Sequence, residues 1–447
     1  MKNLSIFIFL VCFSFGFAQD IPTSFTLQEA IDYALENNRN AKNAARDIEA
    51  AKKQKWETTA TGLPQIDANI NYQNFLKQQV SVVPAEFFGG EPGEFAEVIF
   101  GTKQNVNATA TLNQLLFDGS YLVGLQSAKV FLEISKNAKE KTDLEVRKAV
   151  INAYGNVLLS EESVTIFEKN IAVLEKTLNE TTKIYENGLE EEESVEQLQI
   201  TLSNVQSSLN NAERLREIAY QMFNITLGID YKTNVTLTED LEQLTEKNIS
   251  LEVLELKNDV TNTIDYKIAE NDKTSKELLL KLEKSKALPR LSAFINGGYL
   301  GFSDEFTFLD RDQSWAGFSA FGFNLDIPIF SSGGRSAATQ RAKINLEKSK
   351  DDLTETEQML KLQIETAKSN YRFATEDYNN KKQNLALAER IESKNQTKFF
   401  EGIGSSFELR QAQTQLYTAQ QELLQAMLDV INNKAELETI TNNTTNF

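Results

Sequence analysis

The sequence predicts a mainly α-helical chain that also carries β-strands of the membrane type, built from a duplicated helix–strand–strand–long helix–helix unit. Three observations support this fold class. Long stretches show helical periodicity uninterrupted by proline, because the 447 residues include only 6 prolines. Two pairs of short segments instead alternate apolar and polar residues, as strands do. The same order of elements then occurs twice, which indicates an internal repeat.

Residues 1–18 have the features of a secretory signal peptide. Lys2 gives a positive start, residues 4–17 are almost wholly apolar, and Ala18 precedes the expected mature start at Gln19. A membrane anchor is the alternative, but the apolar run is short for a spanning helix. We therefore expect export through a cleaved leader. No later segment is a continuous apolar run of spanning length, so any membrane crossing would use strands.

Composition excludes several kinds of chemistry. The net charge of −18 argues against a nucleic-acid binder, which would present a basic face. The absence of histidine excludes a Ser-His-Asp triad and imidazole metal ligands. The only cysteine is Cys12, so a mature chain would have neither disulfides nor a thiol nucleophile. We expect no cofactor, no metal and no enzymatic activity.

The first repeat is assigned to residues 19–228. Ser24 or Thr26 can cap a helix that runs to about Thr61, where Gly62-Leu63-Pro64 stops it. Strands follow at about 64–76 and 105–117. The connection between them, roughly residues 78–104, is too long for a tight hairpin and suits an external loop.

Both of these strands alternate strictly. Ile66, Ala68, Ile70 and Tyr72 share one face of the first strand, and asparagines and other polar residues occupy the opposite face. This pattern is what a transmembrane strand shows, with lipid on one side and water on the other. A half-buried sheet of a soluble protein gives the same alternation. The pattern alone leaves both interpretations open.

A helix without proline then extends from about Ser120 to Glu186, which would make it roughly 100 Å long. A glycine-containing turn, the first tip, is expected at about residues 186–194. The next helix ends near Leu227-Gly228. Residues 229–257 form a less regular acidic connector.

The second repeat is assigned to residues 258–440. It begins with a helix to about Lys286, continues with strands at about 290–300 and 315–328, and then enters a helix from about Arg335 to Glu401. A second glycine-containing tip is expected at about 400–406. The last helix has a seam of apolar residues with alternating spacings of three and four, which indicates packing along its whole length. Residues 441–447 form a polar tail.

The two repeats align at three places. Leu63-Pro64 corresponds to Leu288-Pro289 with an offset of 225 residues, and Leu116-Phe117 corresponds to Ile329-Phe330 with an offset of 213. Gly188 corresponds to Gly402 with an offset of 214. Four strands per chain cannot close a barrel, since roughly eight are needed. If the strands span a membrane, several chains must therefore share one barrel.

In this order of elements the chain resembles the TolC-like outer-membrane factor family, the exit ducts of Gram-negative efflux pumps and type I secretion systems. The opening Leu27-Gln28-Glu29-Ala30-Ile31, the two Leu-Pro strand starts and the two glycine tips carry the resemblance, which covers essentially the whole mature chain. It implies a homotrimer in outer-membrane lipid, with a twelve-stranded β-barrel continuous with a twelve-helix α-barrel tunnel. It also implies a passive conduit that opens when a periplasmic adaptor and an inner-membrane transporter dock.

The resemblance also suggests functional positions. Adaptor-docking residues at the tips would be Gly188, Leu189, Gly402, Ile403 and Ser405. Glu408 best matches an acidic constriction at the periplasmic entrance; where relatives have a second acid one turn on, this chain has Gln411. The run Glu190–Glu193 could form a channel mouth that favours cations. The preferred interpretation is a solvated loop whose negative charges stabilise the N-terminus of the next helix.

Polar residues of the strands would line the barrel lumen: Asp67, Asn69, Asn71, Asn107, Thr109 and Asn324. Tyr299 and Trp315 are either part of an aromatic girdle at the bilayer interface or ordinary strand residues. The main alternative to a channel is a soluble periplasmic coiled-coil scaffold with two small β-inserts.

Overall fold

The computed structural model describes residues 23–250, 254 and 259–444. The expected signal peptide, including Cys12, lies outside these residues, as do residues 445–447 of the expected tail. The helices are α1 (Leu27–Asn37), α2 (Arg39–Ala60), α3 (Gly119–Glu186), α4 (Glu192–Leu227), α5 (Leu241–Asn248), α6 (Ile264–Ser285), α7 (Gly334–Phe400) and α8 (Ser406–Thr441). The strands are β1 (Ser24–Phe25), β2 (Gln65–Asn74), β3 (Val80–Pro84), β4 (Phe95–Ile99), β5 (Gln104–Asp118), β6 (Thr236–Leu237), β7 (Arg290–Ser303) and β8 (Trp315–Asp326).

The chain divides into two compact units. A helical unit contains the residues up to Arg46, Asn137–Lys267 and the residues from Glu355 onward. A sheet unit contains Asp47–Lys136 and Ile268–Thr354. None of the helices in the described ranges has both the length and the apolar character needed to cross a bilayer.

The helical unit is organised around a buried apolar cluster to which α1, α3, α4, α5, α7 and α8 contribute. Tyr154 of α3 and Tyr371 of α7 are fully buried in it. Tyr154 donates its hydroxyl proton to the Phe25 carbonyl at 3.1 Å, and Tyr371 donates to the Asn248 carbonyl at 2.6 Å. Because buried hydroxyls need partners, α3 holds β1 in place and α7 holds the end of α5 in place. β1 and β6 also pair in parallel here.

A buried charge cluster lies in the same unit. The carboxylate of Glu438, which is fully buried, accepts a hydrogen bond from Arg147 Nη1 at 2.7 Å. Lys434 Nζ lies 3.8 Å from the other carboxylate oxygen. Burial lowers the pKa of Lys434, against the opposing effect of Glu438. Removal of one member would leave a buried charge uncompensated. The cluster therefore links α3, which carries Arg147, to α8, which carries Lys434 and Glu438.

The N-terminal helical stretch differs from the sequence prediction of one helix to about Thr61. Thr26 is the N-cap and forms a capping box with Glu29, in line with the prediction. The helix is interrupted at Asn38, whose ψ of 138° is extended. The Asn38 side chain accepts from the Asn40 N–H at 2.8 Å and donates to the Thr226 carbonyl at 2.7 Å. An asparagine can thus end one helix and start the next, because its amide replaces the missing backbone bonds.

The sheet unit contains an antiparallel sheet with the strand order β2-β5-β7-β8. Its four strands begin and end within a few residues of the four alternating segments. Gln65 lies opposite Asn113 in the β2–β5 pair, and Arg290 lies opposite Asp326 in the β7–β8 pair. β5 joins β7 with a bulge between Leu115 and Phe117. The two repeats therefore contribute adjacent halves of one sheet.

The segment predicted as an external loop, roughly residues 78–104, contains a hairpin of its own. β3 and β4 pair in antiparallel fashion, and a 3₁₀ turn at Ala85–Phe88 follows β3. The predicted acidic connector is also more ordered than expected, since it holds β6 and α5. Residues 251–253 and 255–258 of that region, including the expected start of the second repeat, lie outside the described residues.

Candidate functional site

The first tip is a glycine-terminated helix end. Gly188 has φ = +75°. Its N–H donates to the Tyr185 carbonyl at 2.8 Å, and the Leu189 N–H donates to the Ile184 carbonyl at 3.1 Å. This pair of bonds is the Schellman arrangement, which satisfies carbonyls at a helix C-terminus and requires a residue with positive φ. Gly188 thus reverses the chain without strain.

The second tip repeats this geometry. Gly402 has φ = +70°, and its N–H donates to the Phe399 carbonyl at 3.1 Å. The Ile403 N–H donates to the Lys398 carbonyl at 3.0 Å. The correspondence between Gly188 and Gly402 therefore extends from sequence to individual backbone hydrogen bonds. A helix-terminating role and a docking role are compatible at both positions.

A serine pair connects the two tips. Ser194 Oγ lies 2.9 Å from Ser406 Oγ, and Ser194 also donates to Glu190 at 2.6 Å. Ser194 is buried. Glu192 and Glu193 lie in the first turn of α4, where negative charge stabilises the exposed N–H groups of the helix. This placement favours the helix-terminus interpretation of the four-glutamate run.

Ser405 and Glu408 form a capping box at the start of α8. Ser405 Oγ accepts from the Glu408 N–H at 3.2 Å, and Glu408 Oε2 accepts from the Ser405 N–H at 3.3 Å. Both side chains are exposed. Glu408 therefore has a structural role that the sequence analysis did not assign to it, and its carboxylate is held next to the second tip.

Apolar side chains project from both tips into solvent. Leu189 is 78% exposed and Ile403 is 73% exposed. Phe407 is also exposed, and the Arg410 guanidinium lies 5.6 Å from the centre of its ring. Sequence reasoning missed Phe407, although an aromatic residue three positions before an arginine on a helix could have suggested the pair. The tips thus present apolar side chains with nothing to cover them in the described chain.

Each face of the sheet has its own composition. Strand register places all the residues predicted to line a lumen on one face: Asp67, Asn69, Asn71, Asn107, Thr109 and Asn324. Thr109 donates to Asn107 at 2.9 Å on this face. The same face also carries Phe294, Leu300 and Phe318, which β7 and β8 contribute. It is therefore less uniformly polar than the first repeat alone indicated.

The opposite face of the sheet is apolar and exposed. Large side chains from three strands contribute to it, namely Ile66, Ile70, Tyr72, Ile295, Tyr299, Phe321, Phe323 and Leu325. A contiguous exposed apolar surface of this kind is unusual on a soluble monomer and marks contact with a membrane or another protein.

Aromatic rings gather at one end of this face. The Tyr72 ring lies 5.8 Å from that of Phe306 and 6.0 Å from that of Phe308, and Phe308 lies 6.3 Å from Trp315. Trp315 lies opposite Gly301, two residues from Tyr299, so Tyr299 and Trp315 are on the same face. Both girdle candidates therefore share the apolar face with other aromatics, an arrangement that suits an interfacial belt.

Comparisons with known proteins bear on the whole chain. Residues 30–228 and 279–443 match the family model described as outer membrane efflux protein. A search of curated protein sequences finds no match.

Solved structures of several outer-membrane proteins have a similar fold. One is CusC, whose crystal structures concern conformational changes accompanying folding and transmembrane channel formation. It is 17% identical with a TM-score of 0.75, over 93% of this chain and 91% of its own. VceC of Vibrio cholerae is 15% identical with a TM-score of 0.71, over 93% and 95%. The MtrE outer membrane channel of Neisseria gonorrhoeae, in its open state, is 18% identical with a TM-score of 0.71, over 93% and 88%.

These structures share the fold, and the family model covers most of both repeats and both tips. The chain belongs to the outer membrane efflux protein family.

Proposed function

We propose that the protein is the outer-membrane exit duct of a tripartite efflux pump or a type I secretion system. In this proposal it conducts substrates passively from a periplasmic adaptor and an inner-membrane transporter to the outside. It acts as a homotrimer and has no catalytic role.

The observation that carries this proposal is the sheet with one polar and one exposed apolar face. Lipid would cover the apolar face, and the lumen would be lined by the face that holds Asn69, Asn71 and Asn107. Apolar-out and polar-in alternation is the pattern of transmembrane barrels. A soluble scaffold offers no reason to expose Ile70, Phe321 and Phe323 together.

The sheet also requires additional copies if it lies in a membrane. Its outer strands would leave backbone N–H and C=O groups unsatisfied in lipid, at a cost of several kcal/mol each. Three copies of a four-stranded sheet would supply twelve strands, enough to close a barrel. The family resemblance suggests the same number.

We assign the tips to adaptor docking. Leu189 and Ile403 are exposed apolar residues next to hydrogen-bonded, glycine-terminated turns, and a preformed backbone lowers the entropy cost of binding. Gly188, Gly402 and Ser405 would hold this surface in shape, and Glu408 would place negative charge at the entrance.

The proposal is tested first by location. Cells that express the full chain are subjected to osmotic shock and then fractionated. We expect the protein in the outer-membrane fraction, released only by detergent. Release with the soluble periplasmic proteins would support the scaffold alternative instead.

Function is then tested by electrical recording. The detergent-purified oligomer is reconstituted into a planar lipid bilayer, with heat-denatured protein as the control. We expect discrete conductance steps from the native oligomer only. A correctly folded oligomer without channel activity would contradict the proposed function.

A further inference from the structure

We propose that β8 of one copy and the segment after it pair in antiparallel fashion with β2 of a second copy, in a register with Leu325 opposite Ile70 and Phe330 opposite Ile66. This inference rests on the proposed oligomer and adds the residues by which neighbouring copies join. It is derived from the internal repeat of the chain.

The two outer strands of the sheet are the starting point. Among the described residues, β2 pairs only with β5, and β8 pairs only with β7. Each therefore presents one row of backbone N–H and C=O groups to a further strand. An open edge of this kind is a template for pairing with another chain.

The two repeats agree closely enough that a strand register seen in one can be applied to the other. Gln65 lies opposite Asn113 in the first strand pair, and Arg290 lies opposite Asp326 in the second. Gln65 corresponds to Arg290 with an offset of 225 residues, and Asn113 corresponds to Asp326 with an offset of 213. These are the offsets found from the Leu-Pro and Leu-Phe motifs, so the two strand pairs are equivalent in register.

The β5–β7 contact then supplies the template for the joint between copies. It connects the second strand of the first repeat with the first strand of the second repeat. For β8, the equivalent partner is a first strand of a following repeat, which only a second copy can provide. The pair Leu112–Ile295 becomes Leu325 opposite Ile70, and the pair Phe117–Leu291 becomes Phe330 opposite Ile66.

The transferred register keeps the two faces separate. Leu325 and Ile70 both belong to the apolar face, and so do the next pair on that face, Phe323 and Tyr72. On the polar face the pair Thr111–Asn296 becomes Asn324 opposite Asn71. A shift of one residue would place apolar side chains opposite polar ones along the whole joint.

Exposure of the segment after β8 indicates a missing neighbour. Ile329 and Phe330 are 87% and 85% exposed. Their counterparts in the first repeat, Leu116 and Phe117, are only 51% and 41% exposed where β5 runs beside β7. β8 ends at Asp326, whereas β5 continues to Asp118. We therefore expect residues 327–331 to extend the strand, with a bulge, once β2 of a second copy lies beside them.

Disulfide cross-linking tests the register. The double variant Asn324→Cys/Asn71→Cys places both thiols on the polar face at directly opposed positions. The matched control, Asn324→Cys/Asn69→Cys, moves one thiol by two residues along the same face. Opposed Cβ atoms are about 5 Å apart and diagonal ones about 7–8 Å, and a disulfide needs about 4 Å.

A disulfide within one chain is excluded by the strand order. β5 and β7 separate β2 from β8, so the two thiols of one copy are at least ~14 Å apart across the sheet. Cys12, in the expected leader, is the only native cysteine, and each single-cysteine variant measures the background. Outer membranes are treated with copper phenanthroline and analysed on non-reducing gels.

We expect covalent dimers and trimers from the opposed pair, at least about fivefold more than from the shifted pair. Equal or greater cross-linking of the shifted pair would overturn the register and leave the proposed function intact. Absence of both products, with an oligomer still seen by amine-reactive cross-linking, would overturn the joint itself. Absence of any oligomer in the native protein would contradict the proposed function as well.

Discussion

Glu408 shows how one side chain can combine a structural and an electrostatic role. Its carboxylate accepts the Ser405 N–H at the start of α8, and it is exposed beside the second tip. Glutamine at the same position can still accept this hydrogen bond but carries no charge. The two roles can therefore be separated by substitution.

We expect Glu408→Gln to lower the cation-to-anion permeability ratio of the reconstituted channel, more strongly at low salt because exposed charges are screened at high salt. The free energy of unfolding should change by less than about 0.5 kcal/mol. Reversal potentials under a salt gradient provide the measurement.

The matched variant is Ser405→Ala, which removes the hydroxyl acceptor and keeps the carboxylate. It should destabilise α8 by about 1 kcal/mol, seen as faster hydrogen exchange near the tip, and leave ion selectivity unchanged. An unchanged permeability ratio in Glu408→Gln would reject the entrance assignment.

Glu392 of α7 is a second informative carboxylate. Burial raises its pKa, and the nearby polar side chain of Gln413 opposes this to a smaller extent. Tyr417 faces the same carboxylate, and burial together with Glu392 raises the pKa of its phenol. A raised carboxyl pKa means that the folded state favours the protonated form. The contribution of Glu392 to the free energy of unfolding is fully present below its unfolded-state pKa and is lost as the pH rises through its folded-state pKa.

We therefore expect Glu392→Gln to raise the free energy of unfolding of the α7–α8 hairpin at pH 7 and to have little effect near pH 4, since glutamine resembles the protonated acid. Thermal unfolding of the detergent-solubilised oligomer at the two pH values measures the difference. Glu389→Gln, at an exposed position of the same helix, is the control. Equal effects of the two substitutions at pH 7 would show that burial of Glu392 is unimportant.

At the scale of elements, glycine at the tips is needed for its left-handed backbone conformation and not because a side chain would clash. A Cβ atom at Gly402 would meet no described atom within 4 Å, but φ is +70°. We expect Gly402→Ala to cost about 1–2 kcal/mol, because left-handed backbone is strained in an L-residue. Limited proteolysis should show faster cleavage at the second tip.

Two substitutions serve as controls for this prediction. Gly402→Asn should be milder, since asparagine tolerates the left-handed region. Gly334→Ala, at the start of α7 where a Cβ is also unhindered, should be neutral. Similar cleavage of the alanine variant and the native protein would contradict the conformational argument.

The elements that the sequence predicted well are those with strong local signals. Alternation located the strands, and glycine located both tips, because these features depend on neighbouring residues only. The break at Asn38 was missed because its amide bonds to the distant Thr226 carbonyl. The position of Phe318 on the polar face was not predicted, although Phe318 is six residues from Asn324 on β8 and alternation alone places both on one face.

At the scale of the whole molecule, the sheet distinguishes a channel from a soluble scaffold. Phe323 and Asn324 are neighbours on β8 and lie on opposite faces, at equal depth along the strand. In a membrane barrel one would face lipid and the other water. In a scaffold both faces would meet water or protein. The same substitution at the two positions therefore tests the environment of each face directly.

We expect Phe323→Arg to reduce the amount of folded protein in the outer membrane strongly, because an arginine that faces lipid is destabilising, by up to about 2–4 kcal/mol at the midplane. Asn324→Arg should assemble normally and alter conductance, since its charge would stand in the water-filled lumen. Heat-resistant oligomer on gels of isolated outer membranes measures assembly, and bilayer recording measures conductance. If Phe323→Arg assembles as well as Asn324→Arg does, the apolar face does not meet lipid, and the barrel proposal fails even though the family and fold remain.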